Sequence, residues 1–110
     1  MTEQEMRALD GAELTQLAAA LGLLTDVTTL PHDDIHAAVD LFIGLRQRGW
    51  TTSQAYFADD RQYGEAWIGC HGRRAYSVQW PRDVPTEALA LLLVACLAVV
   101  NEEEAAHGHA

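Results

Sequence analysis

Ala88-Leu89-Ala90-Leu91-Leu92-Leu93-Val94-Ala95-Cys96-Leu97-Ala98-Val99-Val100 is the longest apolar run of the 110-residue chain. As a helix it would be about 20 Å long, too short for the roughly 30 Å hydrocarbon core of a bilayer. It presents no polar side to water, so other elements must surround it. Leu89, Leu92, Leu93, Val99 and Val100 are its bulky positions, and Ala88, Ala95 and Ala98 let a neighbour approach closely. Burying each Leu or Val stabilises by about 1.5–3 kcal/mol, so this segment should dominate the core. One small domain can hardly cover every side of such a helix. That predicts a homodimer in which the helix or a sheet meets a second copy.

Just upstream, Pro81-Arg82-Asp83-Val84-Pro85-Thr86 is a rigid connection, and the closing helix should start within 83–86. Before it the apolar period is two. Trp50–Phe57, Glu65–His71 and Arg74–Trp80 read as three strands, with the polar stretch Ala58–Gly64 as the first connection. Gly72-Arg73 reads as a two-residue turn. Counting outward from it pairs His71 with Arg74, Gly69 with Tyr76 and Trp67 with Val78. One face would then carry Trp67, Tyr76, Val78 and Trp80, and the other Ala66, Ile68, Cys70, Ala75, Ser77 and Gln79. A slip of one residue would exchange every side chain between faces.

The first half of the chain is helical by period. Asp10 and Glu13 have capping-box spacing, with Leu9 and Leu14 placed as a hydrophobic staple. Leu14, Leu17, Ala18 and Leu21 follow, and Gly22 is the natural stop. Residues 2–8 could add a turn. Thr25–Leu30 is β-branched and reads as an extended link. Pro31 is placed to open a second helix whose positive end Asp33 and Asp34 complement. Its stripe is Ile35, Ala38, Val39, Phe42 and Leu45, and Gly49 ends it after Arg46 and Arg48. Beyond Val100, Glu102-Glu103-Glu104 meets the negative end of the closing helix, unfavourable by a few tenths of a kcal/mol each. Residues 102–110 should therefore be a flexible tail on a single α+β domain spanning 1–101. The expected architecture is a three-stranded antiparallel sheet packed with helices in the order α-α-β-β-β-α.

Charge is unevenly spread. Residues 1–44 hold one Arg against eight acids, residues 45–84 six Arg against four, and residues 85–110 four acids and no base, for a net −9. That balance disfavours duplex nucleic acid, whose phosphates would be repelled. There is no Lys, so every fixed cation is a guanidinium suited to planar contacts. Cys70 and Cys96 lack CxxC spacing and read as small buried hydrophobes. The opening Met1-Thr2-Glu3-Gln4-Glu5 carries neither a basic region nor an apolar run, so no signal peptide is expected and the cytoplasm of a bacterial host is the expected compartment.

Three constellations invite chemistry. His32 and His36 have the i, i+4 spacing of a helical metal pair, but the residue after the first His is Asp33 in a helix's first turn, and a solvated face explains the group better. Cys70 and His71 are neighbours in an expected strand, where they point to opposite faces and cannot form a dyad. Asp33/Asp34 and Asp59/Asp60 are adjacent acids that turn formation and helix starts explain. No GxSxG, P-loop, GxGxxG or paired CxxC is present. The expectation is a non-enzyme without cofactor or metal.

The strongest functional clue is co-localisation. Seven of the eight aromatics lie in residues 50–80 and six of the seven Arg in 46–82. An open sheet bearing both can stack nucleotide-like anions or single-stranded nucleic acid. The candidate binding residues are Arg46, Arg48, Trp67, Arg73, Arg74 and Tyr76. The condition is that Trp67, Arg74 and Tyr76 share an exposed face.

Three stretches resemble a known family. Glu13-Leu14-Thr15-Gln16-Leu17, Asp33-Asp34-Ile35-His36-Ala37-Ala38 running on to Gly49-Trp50, and Pro85-Thr86-Glu87-Ala88-Leu89-Ala90-Leu91 through Ala95 are similar to small phage proteins of the "phage ABA sandwich" type. The resemblance covers most of residues 10–100. It implies a helix–sheet–helix sandwich and a phage or prophage origin, and it implies no activity. The leading expectation is thus a phage-type accessory protein that binds another protein.

Overall fold

Glu87–His107 forms one helix, α4, and everything else is arranged around it. The computed structural model describes residues 1–24, 31–57 and 60–107; the link expected at Thr25–Leu30 lies outside them. Ahead of α4 come α1 (Glu3–Arg7), α2 (Gly11–Ala20), α3 (Ile35–Gly44), a 3₁₀ turn (Leu45–Arg48), β1 (Thr51–Phe57), β2 (Asp60–Gly69) and β3 (Tyr76–Trp80). The α+β class, the three-stranded antiparallel sheet and the α-α-β-β-β-α order are as expected, with α1 as an added turn of helix.

The apolar run is the internal rod that its composition demanded. Ala90 through Ala98 are essentially sealed from solvent. α4 meets β2 and β3 on one side and α1, α2 and α3 on the others. The layers are therefore sheet, α4, then the three N-terminal helices. One correction follows: a single chain covers this run apart from the half-buried Leu89, so its composition needs no second copy. The reason is that α1, α2 and α3 together wrap the sides that the sheet leaves open.

The N-terminal helices are built by caps. Thr2 and Glu5 make a reciprocal capping box on α1. Asp10 and Glu13 make another on α2, with Glu13 N–H donating to Asp10 Oδ1 at 2.8 Å and Asp10 N–H to Glu13 Oε1 at 3.1 Å. The second expected helix starts later than Pro31. Asp34 is its N-cap, its carboxylate accepting from the His36 and Ala37 amides, and Pro31–Asp33 form a turn before it. A side chain that satisfies two orphan amides fixes the start better than a proline that satisfies none. Gly49, at φ 90°, closes the following 3₁₀ turn.

The sheet order is β1-β2-β3, and its register differs from expectation by one residue. Ile68 faces Tyr76, Trp67 faces Ser77 and Ala66 faces Val78. The cause is the turn. Arg73 N–H donates to Cys70 C=O at 3.0 Å, and Gly72 takes φ 78°. The turn is thus centred on His71-Gly72, with Gly at the position that demands positive φ. β2 also begins at Asp60, earlier than Glu65, with an irregularity between Tyr56 and Phe57.

This register sorts the sheet cleanly. Three rows face α4: Thr52, Ile68, Tyr76; Gln54, Ala66, Val78; and Tyr56, Gly64, Trp80. A Cβ on Gly64 would strike the Trp80 ring and come 2.5 Å from the Ala55 carbonyl oxygen. The bare middle position lets Tyr56 and Trp80 meet edge to face, 5.9 Å between centroids. The opposite rows are Ser53, Trp67, Ser77 and Ala55, Glu65, Gln79, with Thr51 beside Gly69 at the end.

Glu102 and the residues after it were expected to form a tail. α4 instead continues through them to His107. Tertiary partners outweigh the dipole penalty: Glu102 Oε2 accepts from Trp50 Nε1 at 3.1 Å, and Glu102 Oε1 lies 3.3 Å from Arg73 Nη1.

Candidate functional site

The six residues singled out by the Arg and aromatic clustering do not converge. Arg46 Nε donates to Thr52 Oγ1 at 2.8 Å, fastening the 3₁₀ turn to β1. Arg73 lies with its Cζ 5.1 Å from the Trp50 ring centroid while pairing with Glu102. Arg74 does the same 5.0 Å from Tyr76, and its Nη2 is 2.9 Å from Glu3 Oε2. Arg7 and Arg74 together hold the Glu3 carboxyl below its usual range, the Arg7 hydrogen bond being the larger cause. The two guanidinium–aromatic contacts are therefore spent within the fold. They clasp the β2–β3 turn to α1 on one side and to α4 on the other. An incoming anion would have to displace Glu3 or Glu102.

The expected shared face is corrected by the register. Tyr76 is 5% exposed and points toward α4, whereas Trp67 is 37% exposed and points away. Trp67 and Tyr76 lie on opposite sides of the sheet, so they cannot stack one ligand between them. Arg48 is separate again. It lines an open groove of about 330 Å³ with Leu23, Leu24, Asp40, Leu41 and Gln47. The Asp40 carboxylate on the same groove opposes an anionic ligand there.

What the sheet does offer is its outer surface. Trp67 stands at the centre of the middle strand with Ser53 and Ser77 as its cross-strand neighbours. Its ring lies over Gly69, where a Cβ would come 2.5 Å from Trp67 Cη2. Thr51, Ser53, Ala55, Phe57 and Ser77 around it are exposed. Glu65 is the one ionisable side chain in the two complete outer rows. A large indole on a flat, small-residue, nearly uncharged surface is the pattern of an interaction site, not of a solvated face. Sequence reasoning put Trp67 on one face with Tyr76, Val78 and Trp80, so its grouping with Ser53 and Ser77 was not foreseen. The signal was present in the small or polar residues at 51, 53 and 55, which alternate with Thr52, Gln54 and Tyr56.

A hydroxyl–imidazole–carboxylate chain occurs elsewhere. Thr15 Oγ1 is 2.7 Å from His32 Nδ1, and His32 Nε2 is 3.3 Å from Asp33 Oδ2. His32 packs against Gly11, where a Cβ would strike its ring. Neither the groove beside Arg48 nor the one between Tyr63, Trp80 and Pro85 reaches these three residues. The chain reads as a tether from the turn at Pro31–Asp33 to α2, since a nucleophile needs space beside it for substrate. His32 lies before α3 and His36 within it, so they are not the helical pair that their spacing suggested. Among the described residues no group of three or more His, Cys, Asp and Glu is placed to hold a metal ion. Cys96 is buried, its Sγ 3.9 Å from the Leu14 carbonyl oxygen, and burial pushes its thiol up to about 12. Such a thiol is inert as a nucleophile. Among the described residues no helix is long and apolar enough to cross a membrane.

No protein-family model, curated protein or solved structure matches this chain.

Proposed function

We propose that the chain is a non-enzymatic accessory protein of the phage type, acting as a protein-interaction module through the outer face of its sheet. The observation that carries this reading is Trp67, seated on Gly69 between Ser53 and Ser77 with no element of the described chain above it. An exposed indole on a rigid sheet is pre-organised, so docking orders little that was mobile. Aromatic anchors ringed by small contacts carry most of the energy in protein interfaces. Phe57, at the end of β1, is exposed as well. The resemblance to small phage proteins supplies the suggested setting.

Photo-crosslinking tests this reading. A benzophenone amino acid at position 77, on the outer face, should give adducts in the source cell. The same group at position 43, exposed on α3, should give none. Adducts confined to position 43 would contradict the proposal.

The other reading, a small binder of nucleotide-like anions or single-stranded nucleic acid through residues 46–82, has its best donors already engaged. Arg46, Arg73 and Arg74 contact Thr52, Glu102 and Glu3. Nucleotides and oligonucleotides should accordingly leave the Tm unchanged, and a rise would revive it.

A further inference from the structure

The sheet has two edges, β1 and β3, and they are finished differently. On β3 the Gln79 N–H donates to Asp83 Oδ2 at 2.8 Å, and the Gln79 C=O accepts from the Asp83 and Val84 amides at 2.8 and 3.4 Å. Pro81 follows directly on the last residue of this short strand. Short length, proline and a covered main chain are ways in which natural sheets close an edge. β1 has none of them. It runs seven residues, Thr51–Phe57, without a charge, a proline or a glycine. Past Thr52 no residue of it is buried.

We infer that β1 accepts an extended, basic segment of a partner protein as a fourth strand of the sheet. This edge is distinct from the Trp67 face and needs no ligand there. Its main chain is the first argument. Arg46 Nη2 donates to the Thr52 C=O at 3.4 Å, so that carbonyl points off the edge rather than toward β2. By the period of two, the Gln54 main chain points the same way. Among the described residues no strand or turn pairs with Gln54 on that side. A strand about 4.8 Å away supplies the acceptor and the donor that Gln54 lacks.

Charge is the second argument. A carboxylate stands beside the open stretch on each face of the sheet. On the α4 side Glu87 Oε2 accepts from Gln54 Nε2 at 3.4 Å. On the outer side Glu65 is the cross-strand neighbour of Ala55, whose methyl leaves room for a longer side chain to reach over it. Among the described residues neither carboxylate has a cationic partner. The cation nearest in sequence to β1, Arg46, is fastened to Thr52 at the far end. Successive side chains of a strand point to opposite faces, so two adjacent Lys or Arg at the centre of an added segment would meet both carboxylates.

The same charges argue against a second copy at this edge. Two β1 strands paired about a two-fold at Gln54 would bring both Glu87 side chains to one face and both Glu65 side chains to the other, between chains of net −9 each. A basic segment meets attraction where a second copy meets repulsion. The open stretch, residues 53–57, is about 17 Å long. Such a contact is smaller than a standard interface, so binding should be weak, with Kd on the order of 100 μM.

The probe is an acetylated ten-residue peptide with two central Lys flanked by alternating Val and Thr, titrated into the isotope-labelled intact chain and followed by NMR. Amide shifts should gather in residues 53–57, and hydrogen exchange of the Gln54 amide should slow by about 10-fold at saturation. The same peptide with Glu for Lys should bind about 10-fold more weakly, and Glu65→Gln combined with Glu87→Gln should remove most of that preference. The Lys peptide N-methylated at its four central amides keeps its charge but loses its strand donors, and it should not bind. Binding that survives N-methylation, or that leaves Gln54 exchange unchanged, overturns strand addition. Equal binding of the Lys and Glu peptides overturns the basic occupant. No binding at about 2 mM peptide overturns the site itself. A free chain that sediments as a dimer with Gln54 already protected gives the edge to a second copy and overturns the proposal as well. Trp67→Ser should bind the Lys peptide as the parent does, so failure of the outer-face reading and failure of this one are told apart.

Discussion

The Trp50 indole Nε1 donates to Glu102 Oε2 at 3.1 Å, joining the start of the sheet to the last turns of α4 across 52 positions of sequence. Arg73 completes the cluster, lying over the Trp50 ring while pairing with the same carboxylate. The contact explains why a helix carrying three consecutive glutamates at its negative end continues beyond Val100.

Glu102→Ala should therefore lower stability by about 1 kcal/mol, less than a buried charged hydrogen bond because both ion-pair partners are more than a third exposed. Glu102→Gln, which still accepts from the indole, should recover about half of that loss. Urea unfolding followed by fluorescence measures both. Equal stability of Glu102→Ala and the parent would show that the cluster holds nothing.

The two glycines of β2 should respond oppositely. Gly64→Ala places a methyl against the Trp80 ring and the Ala55 carbonyl, neither of which can move freely in the core. The expected cost is about 2–3 kcal/mol or more. Gly69→Ala meets the far edge of the exposed Trp67 ring and, at an ordinary contact distance of 3.4 Å, the Ala75 Cβ. That ring can lift away, so the cost should stay within about 1 kcal/mol while tryptophan emission shifts to the red. A Gly69→Ala variant as unstable as Gly64→Ala would mean that Trp67 is fixed by something beyond its own strand.

Cys96 sets a prediction at alkaline pH. Its thiol is raised from 9.0 to about 12 by burial, so the folded chain holds this proton more tightly than the unfolded one. Stability from this group is whole below pH 9 and falls as pH rises from 9 toward 12, at up to about 1.4 kcal/mol per pH unit. Replacing Cys96 by Ala should remove that slope, whatever the cavity costs at neutral pH. In parallel, a disulfide reagent should label the half-buried Cys70 in the native state and Cys96 only on unfolding. A native Cys96 that labels as fast as Cys70 would refute its placement.

Much of the fold was legible because local chemistry and global packing agree. The Asp10–Glu13 box, the stops at Gly22 and Gly49 and the all-apolar 88–100 segment each had one consistent solution. The register was not legible from the turn residues alone. Gly72 fits either the first position of a two-residue turn or the third of a four-residue one, and only the Arg73–Cys70 hydrogen bond distinguishes them. The inner face decides it in hindsight, since only this register buries Ile68, Tyr76, Val78 and Trp80 together. The candidate site suffered from the same slip, because it moved Trp67 to the other face. The cationic cluster was visible in the sequence, but its neutralising partners were not. Glu3 is 71 positions from Arg74, and nothing local connects them.

Residue-resolved hydroxyl-radical footprinting of the unmodified chain tests the uncovered outer face most directly. At low micromolar concentration Trp67 should oxidise several-fold faster than Trp50 and Trp80, each 3% exposed. Equal protection of Trp67 would contradict both the register and the docking surface built on it.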